Sequence, residues 1–464
     1  MNPSSKPARR LAAAAITITL PACVALPASA QSTAQSTAQS TATAGPVARS
    51  VAAAPEIPDT AAGRQLSWLL EAVNRTPLPE SELAGHFEAG FLTSVPPAQL
   101  NQALAQFAGM RLEQLAQPQE NTLVARVTVA GVPFAVQLSV NAAGLINGLL
   151  FQPVTPPPAT PSSWDEIDER LSRTAPQTGF LAAELTANGT CVPVHAVAAE
   201  QARPLGSMVK LYVLGAVSKA IANGKFGWDT ELTITPELKS LPSGQLQDRP
   251  DGSKVTVLEA AQLMISISDN TATDLLIHQV GRKAVERTMR AWGAHDKRNA
   301  PVITTRELFV LKGVDHPRHA ERYLSLNNAK QRAYLDDVVA KAPLSRFAMW
   351  TAPRDLAELE WYASPTEICQ AYAGLVKLGD EHIAQAMSIN DAGLGLDRKE
   401  WPQVWFKGGS EPGVSDLSFL ARTSAGKTYV VTTMAIDPGA PLDPMVAQEQ
   451  VALARGAFTL AGGS

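Results

Sequence analysis

The sequence predicts an α+β protein in two parts, preceded by segments that belong to neither. Three observations carry this expectation. The stretch "PVTPPPATPSS", Pro153 to Ser163, holds five prolines in eleven residues and reads as a stiff extended linker. Ahead of it, apolar residues at helical spacing give way to alternating strand patterns, the order of an α+β layer. Behind it, strand and helix patterns mix over residues 164–464, a length that suits one larger domain.

Residues 1–30 read as a secretory signal peptide. Lys6, Arg9 and Arg10 precede the apolar run "LAAAAITITL", and Ala28-Ser29-Ala30 forms a small-x-small site with cleavage before Gln31. The run is too short for a transmembrane anchor, so no stable membrane span is expected after cleavage. A second reading uses Cys23 for lipid attachment, which Pro21 before Ala22 suits poorly. The expected location is therefore secreted or periplasmic. Residues 31–58, "QSTAQSTAQSTATAGPVARSVAAAPEIP", have too few large apolar groups to fold and read as a disordered tether. Cleavage removes three basic and no acidic residues, leaving 36 Lys and Arg against 43 Asp and Glu. A mildly acidic chain without basic runs is a poor partner for nucleic acid. Only Cys191 and Cys369 then remain, and the spacing leaves open whether they form a disulfide or stay as buried thiols.

The small domain is expected over residues 59–152. "AAGRQLSWLLEAVNR" puts Leu66, Leu69, Leu70 and Val73 on one helical face, and "PPAQLNQALAQFAGM" does so with Leu100, Leu104 and Phe107. "NTLVARVTVAG", "VPFAVQLSVN" and "LINGLLFQPV" read as antiparallel strands. His86, its one histidine, reads as a surface or cap residue. With no nucleophile or phosphate loop, this domain is expected to support a site elsewhere.

The chemistry concentrates in residues 164–464. In "ARPLGSMVKLYVLGAV", Ser207 lies three residues before Lys210 at the head of an apolar helix, so both side chains serve one face. A partly desolvated, neutral lysine can take the proton of a serine hydroxyl. Alone, this spacing also fits an exposed first turn. In "LEAAQLMISISDNTATDLLI", Ser268-Asp269-Asn270 interrupts two apolar helices, where a capping turn is the plainer reading. In "VWFKGGSEPGVSDLSFLARTSAGKTYVVTTMAI", a strand carries Lys407-Gly408-Gly409-Ser410 into a hairpin; paired glycines there mark a close approach or a bulge.

These three pieces, in this order on helix, loop and strand, resemble the Ser-x-x-Lys, Ser-Asp-Asn and Lys-Thr-Gly set of the serine β-lactamase and penicillin-binding-protein superfamily. The resemblance spans residues 164–464, with an opening helix at "SWDEIDERLSR", strands at "TGFLAAEL" and "CVPVHAV", and a closing helix at "MVAQEQVALARGAFTLA". It implies a class A β-lactamase-like domain: an antiparallel sheet flanked by helices, with an all-helical subdomain. "GSMVKLYVLGA" and "FKGGSEPGV" look most like the two-domain serine hydrolases encoded with clavulanic acid biosynthesis, whose first domain is isomerase- or cyclase-like. Carried over, the resemblance implies that Ser207 is acylated, Lys210 is its base, and Ser268 shuttles a proton to the leaving nitrogen. Asn270 holds Lys210 and a substrate amide, Lys407 attracts a substrate carboxylate and helps keep Lys210 neutral, and the N–H groups of Ser207 and Ser410, beside Gly409, form an oxyanion hole. No cofactor or metal is implied, the expected partner is a small acyl substrate, a β-lactam or an ester, and the protein is expected to be a monomer.

Two departures qualify the carry-over. Gly408 replaces the hydroxyl residue of Lys-Thr-Gly, and no full Glu-x-x-Leu-Asn follows Ser-Asp-Asn; Glu307 and Glu321 are the nearest candidates to activate a deacylating water. Fast penicillin turnover is therefore not expected. A D-Ala-D-Ala peptidase and a non-catalytic β-lactam or peptidoglycan sensor are the rival functions. No Gly-x-Ser-x-Gly, His-Glu-x-x-His or dinucleotide fingerprint appears. His316 and His319 of "HPRH" read as solvated side chains.

Overall fold

The structure, a computed structural model, describes residues 55–116, 120–154 and 157–462. The signal peptide, the tether up to residue 54 and Cys23 lie outside the described residues. The chain divides into two compact units after Pro156.

In the first unit, helices α1 (Ala61–Ala72), α2 (Glu80–His86), α3 (Ala89–Ser94) and α4 (Pro97–Leu104) precede strands β1 (Arg111–Ala116), β2 (Thr122–Val129), β3 (Val132–Val140) and β4 (Ile146–Pro153). The strands form an antiparallel meander in the order β1-β2-β3-β4. Thr60 caps α1 by accepting the Gly63 N–H, and Leu66 and Leu69 bury fully against Leu123, Ala125 and Val136 of the sheet. Ala130 and Gly131 both take positive φ between β2 and β3, the turn that matches the twist of a two-residue hairpin. His86 stacks on Trp68 at 3.9 Å and bonds Gln65 at 2.9 Å, so it closes α2 against α1.

The second unit opens with α5 (Trp164–Leu171), β5 (Gln177–Leu185), β6 (Cys191–Val197), β7 (Arg203–Pro204) and α6 (Lys210–Ala222). Next come β8 (Glu231–Thr233), β9 (Lys254–Thr256), α7 (Val257–Ser266), α8 (Asn270–Val280), α9 (Arg282–Ala291), α10 (Thr305–Gly313), α11 (Arg318–Leu324) and α12 (Asn328–Tyr334). It closes with β10 (Tyr362–Ala363), α13 (Pro365–Leu378), α14 (Glu381–Met387), β11 (Gln403–Glu411), β12 (Val414–Arg422), β13 (Thr428–Ile436) and α15 (Val446–Gly462). A five-stranded antiparallel sheet runs β11-β12-β13-β5-β6, which brings the two ends of this unit side by side. Alternation along the strands fills both faces: Phe180, Phe419 and Val431 pack on α5 and α15, whereas Leu181, Leu420 and Val430 face α6 and α13. The mixed helix-and-sheet architecture is the expected α+β class, with a helical part built from α7 to α12 and α14.

Helix α6 is buried almost all round, as its continuous apolar sequence requires. Helix α13 begins with a capping box between Ser364 and Glu367, has Pro365 in its first turn and ends at Gly379 in the left-handed region. Cys191 of β6 and Cys369 of α13 form a disulfide, which settles the alternative left open by their spacing. The histidine reading needs correction: His319 is buried and bonds the Tyr334 hydroxyl, and His316 bonds Asp355, so tertiary partners rather than solvent hold both.

Candidate active site

The helix expected at Leu205 begins one turn later. Gly206–Val209 is a 3₁₀ turn, and α6 proper starts at Lys210. On a 3₁₀ turn, side chains three apart eclipse one another. The tighter turn thus directs half-buried Ser207 and fully buried Lys210 to the same side more strictly than an α-helix would.

The Lys210 amine is held by the loop between α7 and α8. Its Nζ lies 2.9 Å from Ser268 Oγ, 2.6 Å from Ser268 O and 2.7 Å from Asn270 Oδ1. Asn270 in turn donates its amide N–H to Leu241 O at 3.0 Å, so its side chain is fixed at both ends. Asp269 caps α8 through the Ala272 N–H and also accepts the N–H groups of Gln245 and Leu246, pinning a neighbouring loop. The three-residue break is therefore a cap, as its composition suggests, and a clamp on Lys210 as well. Ser268 sits at φ 59°, a backbone conformation costly for a residue with a side chain, and the Asp269 anchors hold it there.

From the sheet, Lys407 brings its Nζ to 3.1 Å from Ser268 Oγ and 2.7 Å from Gly408 O. Two lysine amines thus share one serine hydroxyl. Burial pulls the Lys210 pKa down to about 7, with Asp269 and Asp274 opposing the shift. Burial, and then the nearby charge of Lys210, hold Lys407 well below the usual lysine range. The repulsion expected to act on Lys210 falls on Lys407; burial is the main cause for both. Lys210 donates toward Ser268 O, Ser268 Oγ and Asn270 Oδ1, so its surroundings fix the direction of the amine.

The glycines bring the turn and the strand together. A Cβ on Gly409 would lie 2.0 Å from Leu205 O and 2.7 Å from Ser207 N, and one on Gly206 would lie 2.9 Å from Ser410 N. Only glycine permits this approach, which sets the N–H groups of Ser207 and Ser410 on adjoining segments. Ser207 N–H is in a first turn, where no acceptor within the helix exists. β11 is an edge strand, and exposed Ser410 stands at its end.

The candidate glutamates lie elsewhere. Glu307 closes a capping box with Thr304 and pairs with both Arg282 nitrogens at 2.7 Å, while Glu321 is exposed on α11. Neither bonds Lys210, Ser268 or Lys407. A buried group that the motifs did not show is Lys312 on α10, paired with Glu360 and Glu411. Its signal was present in "LFVLKG", a lone lysine in an apolar run like that of Lys210. Among the described residues, no group of three or more His, Cys, Asp or Glu is arranged to hold a metal, and no helix is long and apolar enough to cross a membrane.

Residues 162–359 match the model of the β-lactamase enzyme family. That match lies wholly within the second unit, which over this stretch is similar to the β-lactamase enzyme family. Residues 57–146 match a model described as ORF 12 gene product N-terminal. Among solved structures, a β-lactamase from Sphaerobacter thermophilus DSM 20745 is similar at 19% identity and a TM-score of 0.46, over 65% of this chain and 98% of that one. The protein PBP-A is similar at 19% identity and a TM-score of 0.45, over 67% and 100%. A class A β-lactamase from Mycobacterium abscessus is similar at 18% identity and a TM-score of 0.44, over 65% and 99%. No curated protein matches the chain. Within the second unit, the set held together by hydrogen bonds is Lys210, Ser268, Asn270 and Lys407, with Ser207, Gly409 and Ser410 joined to it through the backbone.

Proposed function

We propose that the protein is an exported serine hydrolase that forms an acyl-enzyme on Ser207 and acts on β-lactams and small esters. The observation that carries this reading is the buried Lys210 amine, drawn toward neutrality and held by Ser268 and Asn270 one 3₁₀ turn from Ser207. In the proposed reaction, Lys210 takes the Ser207 proton as Oγ attacks the acyl carbon. The N–H groups of Ser207 and Ser410 take the developing negative charge, and Ser268 returns a proton to the leaving group. Lys407 would meet a substrate carboxylate, whose negative charge would offset the burial that disfavours its protonated amine. The two family matches along one chain support kinship with the two-domain serine hydrolases of the clavulanic acid biosynthesis cluster.

Hydrolysis of the ester needs a second base for water. Glu307 is committed to Arg282 and Glu321 to the surface, so a bulky acyl group should leave slowly, whereas a small one leaves room for water beside Lys210. Steady-state rates on a short-chain nitrophenyl ester, nitrocefin and benzylpenicillin test this. The ester is expected to turn over fastest and benzylpenicillin slowest, with all activity lost in Ser207→Ala. Equal activity in wild type and Ser207→Ala would overturn the reading.

A further inference from the structure

A buried cluster outside the motif set ties together the two segments that carry the oxyanion N–H groups. Lys312, fully enclosed on α10, places Nζ 3.2 Å from Glu360 Oε1 and 2.7 Å from Glu411 Oε1. Glu360 Oε2 accepts the N–H groups of Gly206 and Trp361, each at 3.3 Å, and the Leu205 N–H donates to Trp361 O at 2.8 Å. Gly206 immediately precedes Ser207, and Glu411 immediately follows Ser410. One lysine and two carboxyls therefore span from the turn on one side of the expected oxyanion pocket to the strand end on the other.

The charges explain why the span is closed. Two ionised carboxylates on one buried lysine would leave an uncompensated charge, which a low-dielectric interior disfavours. Burial, with the Glu360 charge beside it, holds the Glu411 carboxyl well above the usual carboxylate range. Glu411 Oε2 is buried and takes no donor from the described residues, while the Glu360 carboxyl lies beside it. The other groups facing the cluster are Asp416 of β12, whose carboxyl burial holds well above the usual carboxylate range, Arg203 of β7 opposite Asp416, and Arg354, which donates to Lys312 O.

We propose that the Lys312–Glu360–Glu411 cluster is the positioning device of the oxyanion hole, holding the Gly206–Ser207 turn and the Ser410 strand end at the separation that an acyl oxygen needs. The proposal rests on the reading of Ser207 as nucleophile. These residues touch no substrate; they act through the backbone of Gly206 and Ser410. Loss of the Glu411 proton would place two negative charges on one lysine and loosen the clamp, so acylation should decline once pH passes the raised Glu411 titration.

The test measures acylation of the full chain by an activated ester across pH, with thermal unfolding alongside, for wild type, Ser207→Ala, Glu360→Gln and Glu411→Gln. Glu360→Gln should acylate at least about tenfold more slowly with the apparent probe affinity unchanged, up to the hundredfold scale of a lost oxyanion donor. Glu411→Gln, which keeps the shape and donor of the protonated acid but cannot ionise, should hold its acylation rate to higher pH than wild type and carries the test if Glu360→Gln does not fold. A Glu360→Gln variant that loses thermal stability but acylates at the wild-type rate would overturn the proposal, as would identical pH profiles for wild type and Glu411→Gln. Labelling that persists in Ser207→Ala, or a wild type that is not labelled, would overturn the nucleophile reading and this proposal with it.

Discussion

Replacing Lys210 by alanine is expected to slow acylation of Ser207 by a factor of about 10² to 10⁴, the range of a positioned general base. The amine is enclosed, and its three partners at 2.6 to 2.9 Å leave one orientation open to it. Alanine removes the base and leaves Asn270 Oδ1 without its donor. The same geometry sets the pH dependence. With the Lys210 pKa pulled down to about 7 from an ordinary 10.5, the neutral form grows as pH rises through 7, and the wild-type acylation rate should rise with it. The folded state binds fewer protons at this site than the unfolded chain between those two values, so its contribution to stability also rises with pH across that window. Single-turnover rates with an activated ester from pH 5.5 to 8.5 check the first point, and denaturant unfolding at rising pH above 7 checks the second. A Lys210→Ala variant that acylates normally would place the base elsewhere.

Gly409→Ala is expected to cost about 10² to 10³ in acylation, the scale of one lost oxyanion donor. The added Cβ would meet Leu205 O at 2.0 Å, Ser207 N at 2.7 Å and Met208 N at 2.9 Å, all backbone atoms, so the turn and β11 must part. Gly408→Ala is the matched control. Its Cβ would meet the Phe406 ring at 3.0 Å, Leu417 Cδ2 at 3.1 Å and Asp416 O at 3.2 Å; the two nearest are side-chain atoms, so the effect should be much smaller. Acylation rates measured with unfolding curves separate a displaced oxyanion pocket from a general loss of fold. Equal rates in the two variants would contradict the role given to the Gly409 contact.

What could be read from sequence follows the distance over which each feature is determined. Ser207 and Lys210 are three residues apart, so a local turn decides their relation, and the structure changes only its type from α to 3₁₀. Ser268-Asp269-Asn270 stood out because three polar residues broke an apolar pattern. Glu307 stood as a candidate base only because no full Glu-x-x-Leu-Asn follows Ser-Asp-Asn, while Thr304-x-x-Glu307 was the more specific signal: a capping box. Glu360 and Glu411 are 48 and 99 residues from Lys312, and the Cys191–Cys369 bond closes 178, so only the assembled sheet and helices bring those partners together. In the first unit, α2 and α3 escaped notice because helices of 7 and 6 residues bury one apolar side chain each and show no period.

Time-resolved intact-mass spectrometry of the full chain with benzylpenicillin, followed by peptide mapping, tests the central claim most directly. The account predicts a single acyl adduct on the peptide containing Ser207 that forms at a rate dependent on Lys210 and outlives many turnovers of a small ester. An adduct mapped to another residue, or penicillin hydrolysed rapidly without any adduct on Ser207, would contradict it.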